Sequence, residues 1–547
     1  MFKQYVVDLK TEFSGYNGKK LSQDVLAGLT VTAVALPLAL AFGVSSGADA
    51  AAGLITAILS GLLIGALSGA SYQISGPTGA MTAILIGLVT QYQMEGVFIA
   101  TLLAGVILLI AGLFKLGKFV SLIPSPVITG FTSGIAIIIA LGQIDNFFGV
   151  TSQGNNNIEK LLSYGTLGFQ PNYYAVGFGI LVVVIMLAWP KKWNAKVPSS
   201  LVGIIVALIV SIILNKEVAM VGDIPKTLLP AARLSLSALS IEKVNSLLGA
   251  AISIAALGMI ESLLCGASAG RMKDEKLNAD RELVAQGIGN MIIPFFGGVP
   301  STAAIARTSV AIKSGAQTRL TGIFHAVGLL MSMFLLGDIM SQIPLSALAG
   351  VLMVTAWRMN EWESIHFMFN KKLKTAIAQF CITMFATVAF DLTVAILVGI
   401  LFSLVFFVIN ISGIEINLSD IDPERLAANG ICTKHSHEKT KVVYLTGPVF
   451  FTTTEKIKEE VSGLTDLEYI IFSMRGVPLL DATGTQLFNE LHKSFKEQGT
   501  KIFFSGLQPK VKQLMERSGL TRTVGENNFF WSVEQSIMAI EKEKLVG

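Results

Sequence analysis

For most of this chain apolar residues come in long blocks, not at strand or amphipathic-helix spacing. A helix crossing a bilayer needs about 20 apolar residues, and fewer where a half-helix is buried in protein. Such runs fall at 24–46, 51–70, 77–92, 96–114, 125–148, 173–190, 198–214, 246–268, 282–296, 302–313, 317–336, 344–357, 374–390 and 392–412. The pattern predicts a polytopic α-helical membrane protein with 14 transmembrane segments, an even number that puts both ends on one side. Basic residues gather in alternate loops, as the positive-inside rule requires. Lys19 and Lys20 precede the first segment; Lys115 and Lys118 follow the fourth, and Lys191, Lys192 and Lys196 the sixth. Arg271, Lys273 and Lys276 follow the eighth, Lys313 and Arg319 flank the tenth-to-eleventh turn, and Lys371, Lys372 and Lys374 follow the twelfth. The loop 215–245, with Lys216, Lys226, Arg233 and Lys243, fits this orientation least.

From 441 the pattern changes to short alternating strands (441–445, 469–473, 501–505) and amphipathic helices (454–463, 482–498), which predicts a small α/β domain. The expected division is a cytosolic N-terminal segment 1–20, a transmembrane domain 21–413, a linker 414–440 and a cytosolic domain 441–547. Composition agrees. Of 547 residues 52% are hydrophobic and 14% charged, against roughly 25% charged in soluble proteins. The stretch 432–547 alone carries 29 charges in 116 residues. A net charge of +4 gives no case for nucleic acid. Cys265, Cys381 and Cys432 lie far apart and suggest neither disulfides nor a metal site. No cleavable signal is evident before the first segment, so the N-terminus is expected to stay in the cytosol, with the chain in the inner or plasma membrane.

Two segments are short and begin in Gly/Pro-rich sequence: Ser75-Gly76-Pro77-Thr78-Gly79-Ala80-Met81 and Gly297-Gly298-Val299-Pro300-Ser301-Thr302-Ala303. They are the third and the tenth, seven apart, which predicts a 7+7 inverted repeat; paired interrupted helices of this kind mark transporter binding sites. A half-helix beginning in mid-membrane leaves backbone N–H groups unpaired and carries about half a positive charge there. Two such ends make an anion site without a buried Lys or Arg. The candidate donors are the amides of Thr78, Gly79 and Ala80 and of Ser301, Thr302, Ala303 and Ala304, with the hydroxyls of Thr78, Ser301 and Thr302.

Glu261 stands near the middle of the eighth segment with no charge close by in sequence, and ionisable residues at such depth are costly and usually functional. Its carboxyl either stays protonated or is neutralised by a cation, so it is the coupling-ion candidate. Arg307 either adds positive potential or pairs with Glu261. His325 reads as a hydrogen-bonded core histidine, and Asp391 as a helix-end cap.

Segment 257–322 resembles the signature region of the SulP anion permeases in Ile260-Glu261-Ser262-Leu263-Leu264, Glu282-Leu283-Val284-Ala285-Gln286-Gly287-Ile288-Gly289-Asn290, Gly297-Gly298-Val299-Pro300 and Ala306-Arg307-Thr308. Asp24, Ala27-Gly28-Leu29, Leu36-Pro37, Ala41-Phe42 and Gly76-Pro77-Thr78 resemble the same family's N-terminal motif. The resemblance implies core and gate subdomains, elevator-like alternating access, a homodimer, and an anion held between the third and tenth segments beside the first. It places Phe42 in the substrate pocket and Glu261 at the cation-coupling carboxylate. Relatives in the sodium-coupled bicarbonate branch tend to have Asp in place of Glu261 and a hydroxyl in place of Cys265, departures that favour protons. Leu38 stands where some animal relatives have a polar residue, which implies a more apolar pocket.

The C-terminal part resembles a STAS domain, the family's usual partner module. Thr483, in Leu480-Asp481-Ala482-Thr483-Gly484, matches the phosphoacceptor serine of bacterial anti-sigma antagonists; as a purely local feature it reads as the N-cap of the next helix. No P-loop is present, so ATP-driven transport is disfavoured. The chain therefore reads as no enzyme but a secondary transporter of a small anion, of the sulfate or bicarbonate class or a carboxylate. It is coupled to H+ or Na+, with no other cofactor and no metal. The alternative is a passive anion channel or exchanger on the same scaffold. The expected partners are the anion, the lipid bilayer, a second copy, and a cytosolic protein at the STAS domain.

Overall fold

The computed structural model describes residues 2–118, 123–154, 157–190, 197–390, 392–428 and 435–546. Lys191, Lys192, Lys196, Asp391 and Cys432 lie outside these. The chain forms two compact units, Met1–Phe402 and Ser403–Gly547.

Every apolar run carries a helix. The first three are Gly18–Ser45, Ala50–Leu59 continued through a π turn to Leu67, and Gly79–Leu113, which spans the third and fourth runs with a break at Gln93 (φ 56°). Then come Ser125–Gly142, Tyr173–Ala188, Ser199–Leu214, Ile241–Lys273, Ala279–Ile292, Ile305–Lys313, Leu320–Met340, Leu345–Met359, Lys374–Ala389 and Leu392–Ile411. Among the described residues six helical stretches are long and apolar enough to cross a membrane outright. Among the described residues of the first unit, the helices Phe2–Glu12, Asn157–Leu167 and Trp362–Asn370 lie outside the predicted runs.

The helices sort into two packed groups. Gly18–Ser45, Ala50–Leu59, Gly79–Leu113, Ile241–Lys273, Ala279–Ile292, Ile305–Lys313 and Leu320–Met340 pack with one another. Ser125–Gly142 packs on Lys374–Ala389, and Tyr173–Ala188 on Ser199–Leu214 and Leu345–Met359. These are the core and gate groupings expected from the resemblance. Small residues let the backbones meet in the core: a Cβ on Gly53 would sit 2.0 Å from the Ala39 carbonyl oxygen.

Asp24, fully buried, ties the first helix to the start of Leu320–Met340. Its two oxygens accept from the Gln317 amide (2.7 Å), the Thr318 amide (3.0 Å) and hydroxyl (2.7 Å), the Thr321 hydroxyl (2.7 Å) and the Tyr16 hydroxyl (2.8 Å). The amphipathic helix Phe2–Glu12 is pinned to the same group by Asp8–Arg281 and Glu12–Arg319 ion pairs, with Tyr5 beside both guanidinium groups.

The C-terminal unit is a five-stranded sheet of Glu415–Asp420, Thr440–Thr446, Tyr469–Gly476, Lys501–Ser505 and Phe529–Phe530 in that spatial order; the first pair is antiparallel and the rest parallel. Alternate residues bury on opposite faces: Val443, Ile470, Phe472, Ile502 and Phe504 on one, and Val442, Ile471 and Phe503 against Ile537 and Ile540 on the other. Two differences from the sequence reading stand out. Residues 415–420, expected in the linker, form an edge strand whose exposed side chains carry too few apolar positions to announce it. The helix Ala482–Glu497 is capped by Asp481, which accepts from the Gly484 amide at 2.7 Å, and not by Thr483, which lies within the first turn.

Candidate functional site

The two Gly/Pro-rich segments meet. Ser75–Gly76 and Thr302–Ala303 form a short antiparallel ladder, with Ser75 opposite Ala303 and Gly76 opposite Thr302. Each strand then leads toward a helix, beginning at Gly79 and at Ile305, so both helix starts lie next to the ladder in sequence.

Both helix starts lack a side-chain cap, unlike helices elsewhere in the chain that begin on Asn17, Asp49, Asn172, Ser240 or Asn278. At the first start the N-cap is Thr78, whose hydroxyl is turned away to Glu261; at the second it is Ala304, which has none to offer. The first-turn amides, Gly79 and Ala80 on one side and Ile305 and Ala306 on the other, have no intrahelical acceptor. They supply positive potential in an apolar surround.

Glu261 stands between the two segments. Its Oε2 accepts from Thr78 (2.9 Å) and from Thr302 (2.6 Å), one hydroxyl from each half of the chain. Oε1 receives no hydrogen bond among the described residues, and the side chain is only half-buried. Phe42, near the end of the first helix, is buried with its ring over the Gly79 start; a Cβ on Gly79 would lie 3.1 Å from Phe42 Cε1 and 2.3 Å from Ile139 Cδ1. Gly79 is thus packed closely against Ile139 and Phe42, with no room for a side chain.

Several predicted donors are already engaged. The Ser301 amide donates to Asn290 Oδ1 (2.8 Å), Ala303 to Ser262 Oγ (3.2 Å) and Ala304 to the Ile74 carbonyl (3.0 Å). Thr302 lies in the ladder, and the Ser301 hydroxyl accepts from Ser60 (2.7 Å). These residues build the site, and the open amides move one turn on, to Ile305 and Ala306. Thr78, Gly79 and Ala80, all buried, remain the candidate donors on their side. Arg307, fully buried, makes no ion pair with Glu261; its Nη2 donates to the Pro77 carbonyl at 2.6 Å, so it holds the 75–78 strand while adding charge behind it. A Cβ on Gly76 would lie 2.3 Å from Arg307 Nη1. His325 is a core residue beside Thr32, whose hydroxyl lies 3.4 Å from Nδ1 and donates to the His325 carbonyl.

The supporting residues were not singled out from sequence. Asn290 clamps Ser301 at both backbone groups, Gln286 donates to Ser75 Oγ (2.8 Å) and to Glu282, and Thr56 brackets Val299. The available signal was the spacing of Glu282, Gln286 and Asn290, four apart on one helix face.

The chain is 34% identical over 538 residues to the putative sulfate transporter YvdB of Bacillus subtilis, covering 95% of this chain and 97% of that one. Among solved structures, the transmembrane domain of a cyanobacterial bicarbonate transporter, BicA, matches with a TM-score of 0.63 and 30% identity over 71% of this chain and 98% of that chain. The murine Solute Carrier 26 family member A9 anion transporter matches in fold over 99% of this chain and 95% of that chain, with a TM-score of 0.85 at 16% identity. The STAS domain model matches residues 433–536. Because the sulfate permease family model matches residues 21–386, which carry both helix starts and Glu261, the chain belongs to the sulfate permease family, whose members move sulfate and bicarbonate across membranes.

Proposed function

We propose that the chain is a secondary transporter that binds a small anion of the sulfate or bicarbonate class at the two uncapped helix starts and couples its movement to a cation, a proton. The observation that carries this is Glu261: one carboxylate oxygen joins hydroxyls from both halves, beside amides that attract negative charge. An ionised Glu261 repels an incoming anion across a low-dielectric gap, whereas a protonated or cation-paired one does not. Anion and cation therefore bind favourably together, which is the thermodynamic content of coupling. The uncapped amides hold the anion by partial charges only, so it can also leave. Elevator-like movement of the core helices against the gate helices, as a homodimer in the inner or plasma membrane with both termini cytosolic, completes the reading.

The test is anion uptake into proteoliposomes under imposed pH and sodium gradients, with sulfate, bicarbonate, chloride and dicarboxylates compared. Wild type should concentrate one of them under a pH gradient. Glu261→Gln should lose gradient-driven uptake and keep anion exchange. Unchanged gradient-driven uptake in Glu261→Gln removes the coupling role; absence of any flux removes the transporter reading.

A further inference from the structure

The helix that carries Glu261 runs on to Lys273, and along its last turns, from Leu263 onward, the core unit has a cavity of about 630 Å3. Its lining combines the apolar Leu263, Leu264, Ala267 and Leu277 with the basic Lys118, Arg271 and Lys276. Arg271 follows Glu261 by ten residues, or about 15 Å at 1.5 Å per residue. That is half the roughly 30 Å hydrocarbon thickness, so with Glu261 at mid-depth Arg271 stands at headgroup level and the leucines stand among acyl chains. Among the described residues neither the Arg271 nor the Lys276 side chain has a hydrogen-bond or ion-pair partner. Of the two acidic lining residues, Glu275 is already matched by Lys273 at 3.1 Å and accepts from Ser71, which leaves Asp274 against Arg271 and Lys276.

We propose that this cavity is a binding site for an anionic phospholipid, its phosphate held by Arg271 and Lys276 and one acyl chain lying against Leu264 and Ala267. Basic pockets between membrane helices on the cytosolic side suit such headgroups. The leaflet rests on the orientation proposed above; the match of charge to depth does not. The ligand touches the helix one turn beyond Glu261, so its occupancy bears on the element that carries the coupling carboxylate.

The experiment uses the purified full-length protein, titrated with phosphatidylglycerol or phosphatidylcholine and read by native mass spectrometry. Phosphatidylglycerol should bind with at least tenfold preference. Arg271→Gln/Lys276→Gln should weaken it about thirty-fold, taking about 1 kcal/mol per basic residue at 1.4 kcal/mol per decade. Lys371→Gln, in another basic loop, should leave it unchanged. Should the double variant fail to fold, Lys276→Gln alone, in the exposed turn, should still weaken binding about fivefold. The proposal is overturned by equal affinity for phosphatidylcholine, by variants that bind phosphatidylglycerol as wild type does, or by inorganic phosphate displacing the lipid at matched concentration. Each outcome is independent of whether transport is observed.

Discussion

Adding one methyl group at Gly79 separates binding from packing. In Gly79→Ala the new Cβ meets Ile139 Cδ1 at 2.3 Å and Phe42 Cε1 at 3.1 Å. The Ile139 contact is with the free end of a flexible side chain, so relief by rotation limits the overpacking cost to the lower part of the usual 1–3 kcal/mol. Replacing glycine within a helix returns about 0.5–1 kcal/mol. The net stability change is at most about 2 kcal/mol, a melting shift of a few degrees for a chain of this size. The effect on the site should be larger, because displacing Ile139 and Phe42 disturbs the packing around the Gly79 and Ala80 amides. Losing one hydrogen bond to an anion costs about 1.5–3 kcal/mol, or roughly 10- to 150-fold in the half-saturating anion concentration. Concentration-dependent uptake into proteoliposomes and thermal unfolding of the same preparation measure the two quantities. Gly87→Ala, on the same helix with nothing within 4 Å of its new Cβ, should alter neither adversely. An unchanged half-saturating concentration in Gly79→Ala would refute binding at this helix start.

The remaining predictions concern the clasp at Asp24. Asp24→Asn keeps the shape but removes the charge from five accepted hydrogen bonds and puts an NH2 donor in place of one of the two acceptor oxygens. At about 1 kcal/mol each, less than fully additive, it should cost about 3–5 kcal/mol, seen as reduced yield and a lower midpoint in detergent; a midpoint within two degrees of wild type would contradict this. The Tyr16 hydroxyl, desolvated and donating to Asp24, is pushed up from its usual 10.0 to about 12. Its neutral form is favoured in the folded state, so its stabilisation is complete below pH 10 and lost as pH rises from 10 to about 12. Thermal unfolding across that range should fall more steeply for wild type than for Tyr16→Phe, and parallel curves would exclude it.

Much of this was legible in the sequence. Blocks of apolar residues locate helices because a bilayer leaves the backbone no other partners, and every block falls on a helix, the third and fourth sharing Gly79–Leu113. The two Gly/Pro segments and Glu261 were recognisable from position alone, since glycine and proline interrupt helices and a lone carboxylate in an apolar run is costly. The cap at Asp481 was misplaced by two residues because a hydroxyl and a carboxylate at neighbouring positions are equally plausible caps until backbone angles are known. The strand 415–420 went unseen because a half-exposed edge strand shows little hydrophobic alternation.

The division follows from the range of the forces. By itself the sequence determined which stretches leave water, which two helices begin late and which charge goes with them, because those depend on transfer energies and local backbone chemistry. Only the tertiary structure decided that Ser75 and Gly76 pair with Ala303 and Thr302, and that this ladder consumes amides that looked free. It also decided that Thr78 and Thr302 spend their hydroxyls on one oxygen of Glu261, and that Arg307 turns to Pro77. Each of those is a hydrogen bond between groups distant in sequence. Such bonds depend on direction to within a fraction of an ångström, and hydrophobic patterning carries no information about them.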